Sequence, residues 1–302
     1  MQRAWVLQER VLSRRTIHFT GSHVYYECED GVTCEQLTKL KPPFGKQYFI
    51  LDPQFPDRLY SSGYKRTFQL IQFLFVKYSA SGITEETDRA IAINSLIIRI
   101  EQALKTSSHY GIFQLFLSSL LLWKRTRDSN PPIKHKKQVP SWSWMAYSGG
   151  VDFILEPTDQ FLVSHRDNLY FADDGRALHI KVRNFGEGCR VEENGGNYDI
   201  MVGTENVGSL WLDMANPMEL DGCNCVVVGT LDDEEEDDEE EDDEGEDDEE
   251  EDDEEEDARR YYFILVIRDK YESTNQNKDE GKDGNKDRGK RYERIGVGKV
   301  QP

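Results

Sequence analysis

Between Asp232 and Asp257 every position is Asp or Glu except Gly245, so 26 consecutive residues carry 25 carboxylates. Like charges at this density repel one another. Residues without apolar side chains also cannot offset a backbone ordering cost of about 1–2 kcal/mol per residue. The run is therefore expected to be a disordered loop. It separates two apolar stretches, CVVVGTL and YYFILVIR, which read as the strands of a hairpin. Loop-closure entropy grows only with the logarithm of length, so a sheet tolerates such an insert. Two roles stay open, a tether for basic, histone-like proteins and a tolerated low-complexity expansion, and the composition favours the second. Deleting Asp232 to Asp257 and joining the strands by a short Gly-Asn turn is expected to leave the melting temperature nearly unchanged. A large loss of secondary structure by circular dichroism would show that the run has a structural role.

With those 25 carboxylates set aside, the net charge of the 302-residue chain changes from −21 to +4. The rest of the protein is close to neutral, so global charge favours neither nucleic acid nor an anionic membrane as partner. The most apolar stretch, YGIFQLFLSSLLLW, is shorter than the roughly 18–20 residues of a membrane span and is interrupted by Gln114 and two serines. No signal-peptide pattern opens the chain. Five scattered cysteines suit a reducing compartment, the cytosol or nucleus, and a cytoplasmic location is expected. Cys223 and Cys225 have no second Cys/His pair at ligand spacing, so neither a metal nor a cofactor is expected.

Periodicity divides the chain into three regions. In residues 1–60 an amphipathic opening helix precedes two short strands, TIHFT and HVYYEC, and Cys34 to Leu40 reads as a helical turn. Residues 61–158 read as helical. Phe68, Ile71, Phe75 and Tyr78 fall on one stripe. Thr84, followed by acids, reads as the N-cap of a helix to about Leu104. Phe113 to Trp123 reads as a third, central helix. Residues 159–302 turn to period two, with ALHIKVRNF, YDIMVG, GSLWLDM, CNCVVVGTL, YYFILVIR and YERIGVGKV as strands of an antiparallel module. A polar loop is expected at 272–290. The fold class is therefore α+β: a helical middle region and a C-terminal antiparallel β-rich module carrying a disordered acidic insert.

No G-x-S-x-G, P-loop, G-x-G-x-x-G or H-E-x-x-H motif occurs, and the six histidines do not cluster. One pairing in the opening helix stands out. Trp5 and Glu9 lie four residues apart, on one face with Gln8 and Leu12. As a surface carboxylate, Glu9 is solvated or pairs with Arg10 or Arg14.

RAWVLQERVLSRRTIHFTGSHVYYEC closely resembles the closing block of the fungal heterokaryon-incompatibility (HET) domain, approximately R-x-W-x-x-Q-E, L-S-x-R and an aromatic strand ending in E-C. Arg3, Trp5, Gln8, Glu9, Leu12, Ser13, Arg15, Glu27 and Cys28 carry that pattern. Downstream, GITEETDRAIAINSL is similar to the family's T-x-x-x-D-R/K helix, and HYGIFQLFLSSLLLW to its Y-x-x-G…L-L-W segment, with GIF in place of GLW. VPSWSWMAYSGGVDF resembles the P-S-W-S-W…G-x-V-x-F block, carried by Pro140, Ser141, Trp142, Ser143 and Trp144.

The resemblance implies a role in fungal non-self recognition, where HET domains trigger growth arrest and cell death after unlike cells fuse. It also implies a TIR-like α/β fold for the opening region. In NAD-cleaving TIR domains a glutamate follows a tryptophan by four residues, which makes Glu9, with Trp5 packing beside it, the catalytic candidate. Such a carboxylate stabilises the oxocarbenium-like charge formed as nicotinamide leaves, or orients the ribose hydroxyls. NAD would be the substrate of a complete HET domain. HET domains carry a long segment before this block, with Y-x-x-L-S-Y-x-W-G and W-I-D…C-I-x-Q motifs that these 302 residues do not contain. A partial HET protein, inactive as this truncated chain, is therefore expected, with only a remnant of the TIR-like unit. Its partner would be another HET or incompatibility protein, and the alternative function is a non-catalytic interaction or regulatory protein. For PSWSW, period two places Trp142 and Trp144 on one side, as a core plug between the helical and β-rich regions in preference to a ligand platform.

Overall fold

The computed structural model describes residues 4–13, 15–28, 31–35, 39–40, 59, 63–126, 139–155, 162–185, 188–213, 223–232, 260–270 and 290–301. The acidic run beyond Asp232, most of the polar loop at 272–290 and Arg3 lie outside the described residues, as do the side chains of Trp5, Gln8 and Glu27.

The chain is a mixed α+β protein. Helix α1 (Ala4–Leu12) leads into an antiparallel sheet of four strands in sequence order: β1 (Thr16–Phe19), β2 (Val24–Cys28), β3 (Gly31–Cys34) and β4 (Lys39–Leu40). The two expected strands are present, paired from Thr16 with Glu27 to Phe19 with Val24. Of the helical turn expected at Cys34 to Leu40, residues 36–38 lie outside the described residues, and its two ends are strand. Cys34 ends β3 opposite Tyr25, and β4 pairs with β3 through Val32 and Thr33. The β-branched Val32 and Thr33 suit this pleated setting better than a helix. The resemblance implies a parallel arrangement in this region, but the pairing is antiparallel throughout.

Helices α2 (Tyr64–Ser79), α3 (Arg89–Ala92) and α4 (Asn94–Leu104) follow. In α2, Leu70, Ile71, Leu74, Phe75 and Tyr78 are buried, as the apolar stripe predicts. The expected long helix from Thr84 is instead a 3-10 turn at Glu86–Asp88, then α3, then a break at Ile93 before α4. Glu85, not Thr84, occupies the N-cap, and no side chain caps that turn. The physical reason lies at Arg89, which is buried and donates from Nη2 to the carbonyls of Ser79 and Gly149, fixing this turn against the end of α2.

The third expected helix, Phe113 to Trp123, is largely replaced. A short hairpin of β5 (Ser108–His109) and β6 (Ile112–Phe113) leads through a 3-10 turn into the four-residue α5 (Leu117–Leu120). Trp123 then opens strand β7 (Trp123–Arg125), paired with β8 (Val151–Phe153). This stretch is buried on nearly every side, and an apolar run without a polar face has no periodicity to separate helix from buried strand.

The remaining strands are β9 (Val163–Ser164), β10 (Leu169–Phe171), β11 (Leu178–Ile180), β12 (Arg183–Asn184), β13 (Cys189–Asn194), β14 (Asn197–Val202), β15 (Glu205–Leu212), β16 (Asn224–Asp232), β17 (Arg260–Asp269) and β18 (Tyr292–Val300). Eight of them form an antiparallel sheet in the order β12-β16-β17-β18-β15-β14-β13, with β9 also on β16, and β10 pairs with β11 alone. Five of the six strands read from the sequence are present as single strands; the sixth, ALHIKVRNF, is split into β11 on β10 and β12 on β16. The CVVVGTL and YYFILVIR hairpin closes as expected, with Asp232 opposite Arg260. The β13–β14 turn has Gly195 and Gly196 at φ 58° and 94°, the double positive φ of a two-residue turn that matches strand twist.

β17 is covered on both faces. Phe263, Leu265 and Ile267 join the main core, and Ile264 and Val266 join a second cluster with Tyr198, Ile200 and Leu210. The main core runs without a break from Ala4 and Leu7 of α1, through α2, α4 and Trp123, to Val226, Val228 and Val297 of the large sheet.

Two buried phenols give this core a pH dependence. Burial pushes the Tyr78 and Tyr147 hydroxyls well above the ordinary tyrosine range. Tyr78 Oη also donates to the Arg89 carbonyl at 2.6 Å, which requires the protonated form. The stabilisation is complete below the unfolded value of about 10 and is lost as pH rises above it, because the unfolded chain then binds fewer protons than the folded one. Urea unfolding between pH 8 and 11 should show stability falling by up to about 1.4 kcal/mol per pH unit for each phenol. The double variant Tyr78→Phe/Tyr147→Phe should flatten that slope.

Candidate functional site

α1 is held by its apolar side. Ala4, Leu7 and Val11, spaced three and four apart, are buried against α2, α3 and α4, and the Ala4 amide donates to the Gly82 carbonyl at 2.9 Å. Glu9 lies off this stripe and is exposed. Its carbonyl accepts from both the amide and the hydroxyl of Ser13, which closes the helix end. Cys28, at the end of β2, is half-buried and is not in a disulfide.

The PSWSW block lies at the centre of the molecule. It is a turn leading into a 3-10 helix at Trp144–Ala146, so the two indoles are not placed by a period of two. Both are nevertheless buried. Ser143 Oγ donates to the Tyr110 carbonyl at 2.7 Å and accepts from the Met145 amide at 3.1 Å, capping the 3-10 turn. Trp144 packs on Phe75 with ring centroids 5.0 Å apart and edge-on to Tyr78. Gly111 lies against it at φ 80°, where a Cβ would come within 2.7 Å of Met145 Cε and 3.0 Å of Trp144 Nε1. Only glycine fits there. The Trp123 indole donates to the Trp142 carbonyl at 2.9 Å, and Ser141 Oγ accepts from the Arg294 amide at 3.0 Å.

Arg294 and Asp213 bind these pieces together, and sequence reasoning misses both. Arg294 Nε and Nη2 each reach an Asp213 carboxylate oxygen at 3.1 Å, while Nη1 donates to the Leu121 carbonyl at 2.8 Å and Nη2 also to the Trp123 carbonyl. Its guanidinium carbon stands 3.5 Å from the Trp123 ring centroid. Arg125 donates to the Asp213 carbonyl at 2.7 Å. Burial pushes the Asp213 carboxyl up and pulls the Arg294 guanidinium down, and their two-point contact opposes both. The visible signal was one charge closing an apolar strand, Asp213 after LWL, and another entering one, Arg294 before IGV.

Beside this knot a cleft of about 1230 Å³ opens between Val139–Tyr147, the β11 segment and the neighbouring ends of β17 and β18. Ser141 and Trp142 line it, and Glu9 and Cys28 do not. The structure thus brings Ser141, Trp142 and Trp144 together and leaves Glu9 on a separate, exposed helix face. The Trp142 and Trp144 indole nitrogens are buried without a hydrogen-bond partner, as are Nε and Nη1 of Arg89. Each such group costs on the order of 1–3 kcal/mol. Among the described residues no cluster of His, Cys, Asp and Glu could hold a metal ion, and no helix is long and apolar enough to cross a membrane. Comparison with family models, with curated proteins and with solved structures gives no match.

Proposed function

We propose that this chain is a HET-type protein of fungal heterokaryon incompatibility, acting in the cytoplasm through a protein partner rather than cleaving NAD by itself. The observation that supports this reading is that the stretches carrying the downstream resemblance interlock. Arg89 of the D-R motif bonds the Gly149 carbonyl of the SGG block, Tyr110 accepts from Ser143, and Trp123 of the LLW segment donates to Trp142. Residues far apart in sequence, singled out as motifs, are one another's partners. Within this reading, α1 and the strands after it correspond to the part of a TIR-like unit that carries the R-x-W-x-x-Q-E motif. That part rests on the motif, not on the antiparallel pairing of β1 to β4.

Glu9 is the family's catalytic position in this chain. Its carboxylate is exposed and stands apart from the cleft, so it lacks the preorganised surroundings that oxocarbenium stabilisation needs. A second reading, a non-catalytic interaction protein, is favoured by one feature. Ile17 and Phe19 on β1 are 56% and 80% exposed, and Tyr26 beside them on β2 is 39% exposed, an apolar face suited to a protein partner.

Expressing the chain in a filamentous fungus, alone and with a complete HET protein, tests the proposal by counting viable cells after fusion. The expected result is altered viability only in the combination, and lost when Ile17 and Phe19 are replaced by Thr. Unaltered viability in every combination would refute it.

A further inference from the structure

The cleft beside PSWSW is more than a space between packed elements. Arg176, Lys270, Lys290 and Arg291 line it, together with His179. Glu293 is the single acidic residue among the described lining residues, and its carboxylate is held by Arg268 at 2.6 Å. A chain whose folded part is close to neutral thus gathers four cations around one concavity, besides Arg294, which is paired with Asp213.

Two further observations lie in the wall. Tyr110 has φ 49°, a left-handed backbone uncommon for a bulky residue, and it is held there by the Ser143 hydroxyl on its carbonyl. With Gly111 at φ 80° it forms the two-residue turn of the β5–β6 hairpin, which fixes this aromatic wall in place. Trp142 is more than nine-tenths buried, yet its indole N–H has no acceptor. That nitrogen is itself out of reach of solvent, so Trp142 contributes a fixed ring to the wall of the cleft and not a donor.

We propose that this cleft binds a phosphorylated ligand bearing an aromatic ring, the chemistry of a nucleoside diphosphate. The guanidinium groups of Arg176 and Arg291 match phosphate oxygens in pairs, and Lys270 and Lys290 add compact point charges. Tyr110, Trp142 and Tyr292 supply the rings, and the flanks of Leu178 and Ile180 an apolar floor. The volume is ample for base, sugar and two phosphates. The inference does not rest on the family reading, because the site excludes Glu9 and uses residues from both the helical and the β-rich regions.

Calorimetric titration of the full chain at about 0.15 M salt, where exposed long-range charge is screened, tests it with ADP, inorganic pyrophosphate and hexaglutamate as probes. ADP should bind with a Kd on the order of 1–100 µM and at least about tenfold more tightly than pyrophosphate. The exposed double variant Arg176→Glu/Lys270→Glu should weaken ADP by about tenfold or more at unchanged melting temperature. The remote variant Arg66→Glu/Arg99→Glu should leave binding as it was. Absence of ADP binding at about 1 mM, ADP affinity indifferent to the cleft variant, pyrophosphate matching ADP, or hexaglutamate binding more tightly than ADP would each overturn the proposal.

Discussion

Replacing Asp213 by alanine is expected to destabilise the protein by about 3–5 kcal/mol, among the largest effects available to a single change in this fold. The carboxylate is 2% exposed as a residue and answers two nitrogens of Arg294, which is itself 3% exposed. Removing the acid leaves a guanidinium inside the core with only carbonyl partners, and a charge stripped of water and of its counter-ion costs several kcal/mol. Arg294→Met removes the cation and its two-point contact from a buried carboxylate, so a loss of similar size is expected. The double variant Asp213→Leu/Arg294→Met should lose much less than the sum of the two, because no uncompensated charge remains. Urea unfolding of the four proteins checks this. Additive single losses would mean that the two residues stabilise the fold independently.

Trp144→Ala should cost about 3–5 kcal/mol, the range for a large aromatic removed from a core that cannot close over the space. The indole is fully buried between Phe75, Tyr78 and the Cα of Gly111, and its neighbours belong to α2, the β5–β6 turn and the PSWSW turn. A collapse that filled the cavity would have to move all three. Trp142→Ala should fall in the same range, because Tyr110 and Phe171 meet that ring edge-on and Trp123 bonds its carbonyl. Unchanged thermal stability in both variants would defeat the description of this block as the plug between the helical and β-rich regions.

How far the sequence could be read depended on whether a local pattern had only one solution. Most of the β-rich strands are legible because alternation and Gly or Asn turns coincide, as at Gly203 between β14 and β15, whereas β13 is not read as a strand. α2 was legible because its polar residues leave a single buried stripe. Phe113 to Trp123 was not, because residues buried on every side carry no periodicity and tertiary contacts choose their shape: Trp123 is extended so that it pairs with Phe153 and its indole reaches Trp142. Thr84 looked like a cap from its acidic neighbours, but the buried guanidinium of Arg89 sets the turn there instead. Trp142 and Trp144 of PSWSW are buried as expected although the block is not extended, since burial follows from composition and backbone shape does not, and Trp142 also lines the cleft. The cleft could not be foreseen. Its cations come from two separate stretches, Arg176 and the Lys270 to Arg291 neighbourhood, which only the β10–β11 hairpin and the ends of β17 and β18 bring together.

Glu9 remains the position at which sequence and structure give different weights. The resemblance implies that Glu9 stabilises oxocarbenium-like charge or orients the ribose hydroxyls, whereas the fold presents it to solvent off the buried stripe of α1. A carboxylate in water, without a cradle for phosphates or a wall against nicotinamide, forfeits the preorganisation and positioning that account for most of the rate in such reactions. The most direct measurement is therefore nicotinamide release from NAD by the purified 302-residue chain beside its Glu9→Ala variant. The account predicts two indistinguishable traces at the level of buffer. Robust turnover by the chain, abolished in Glu9→Ala, would contradict it.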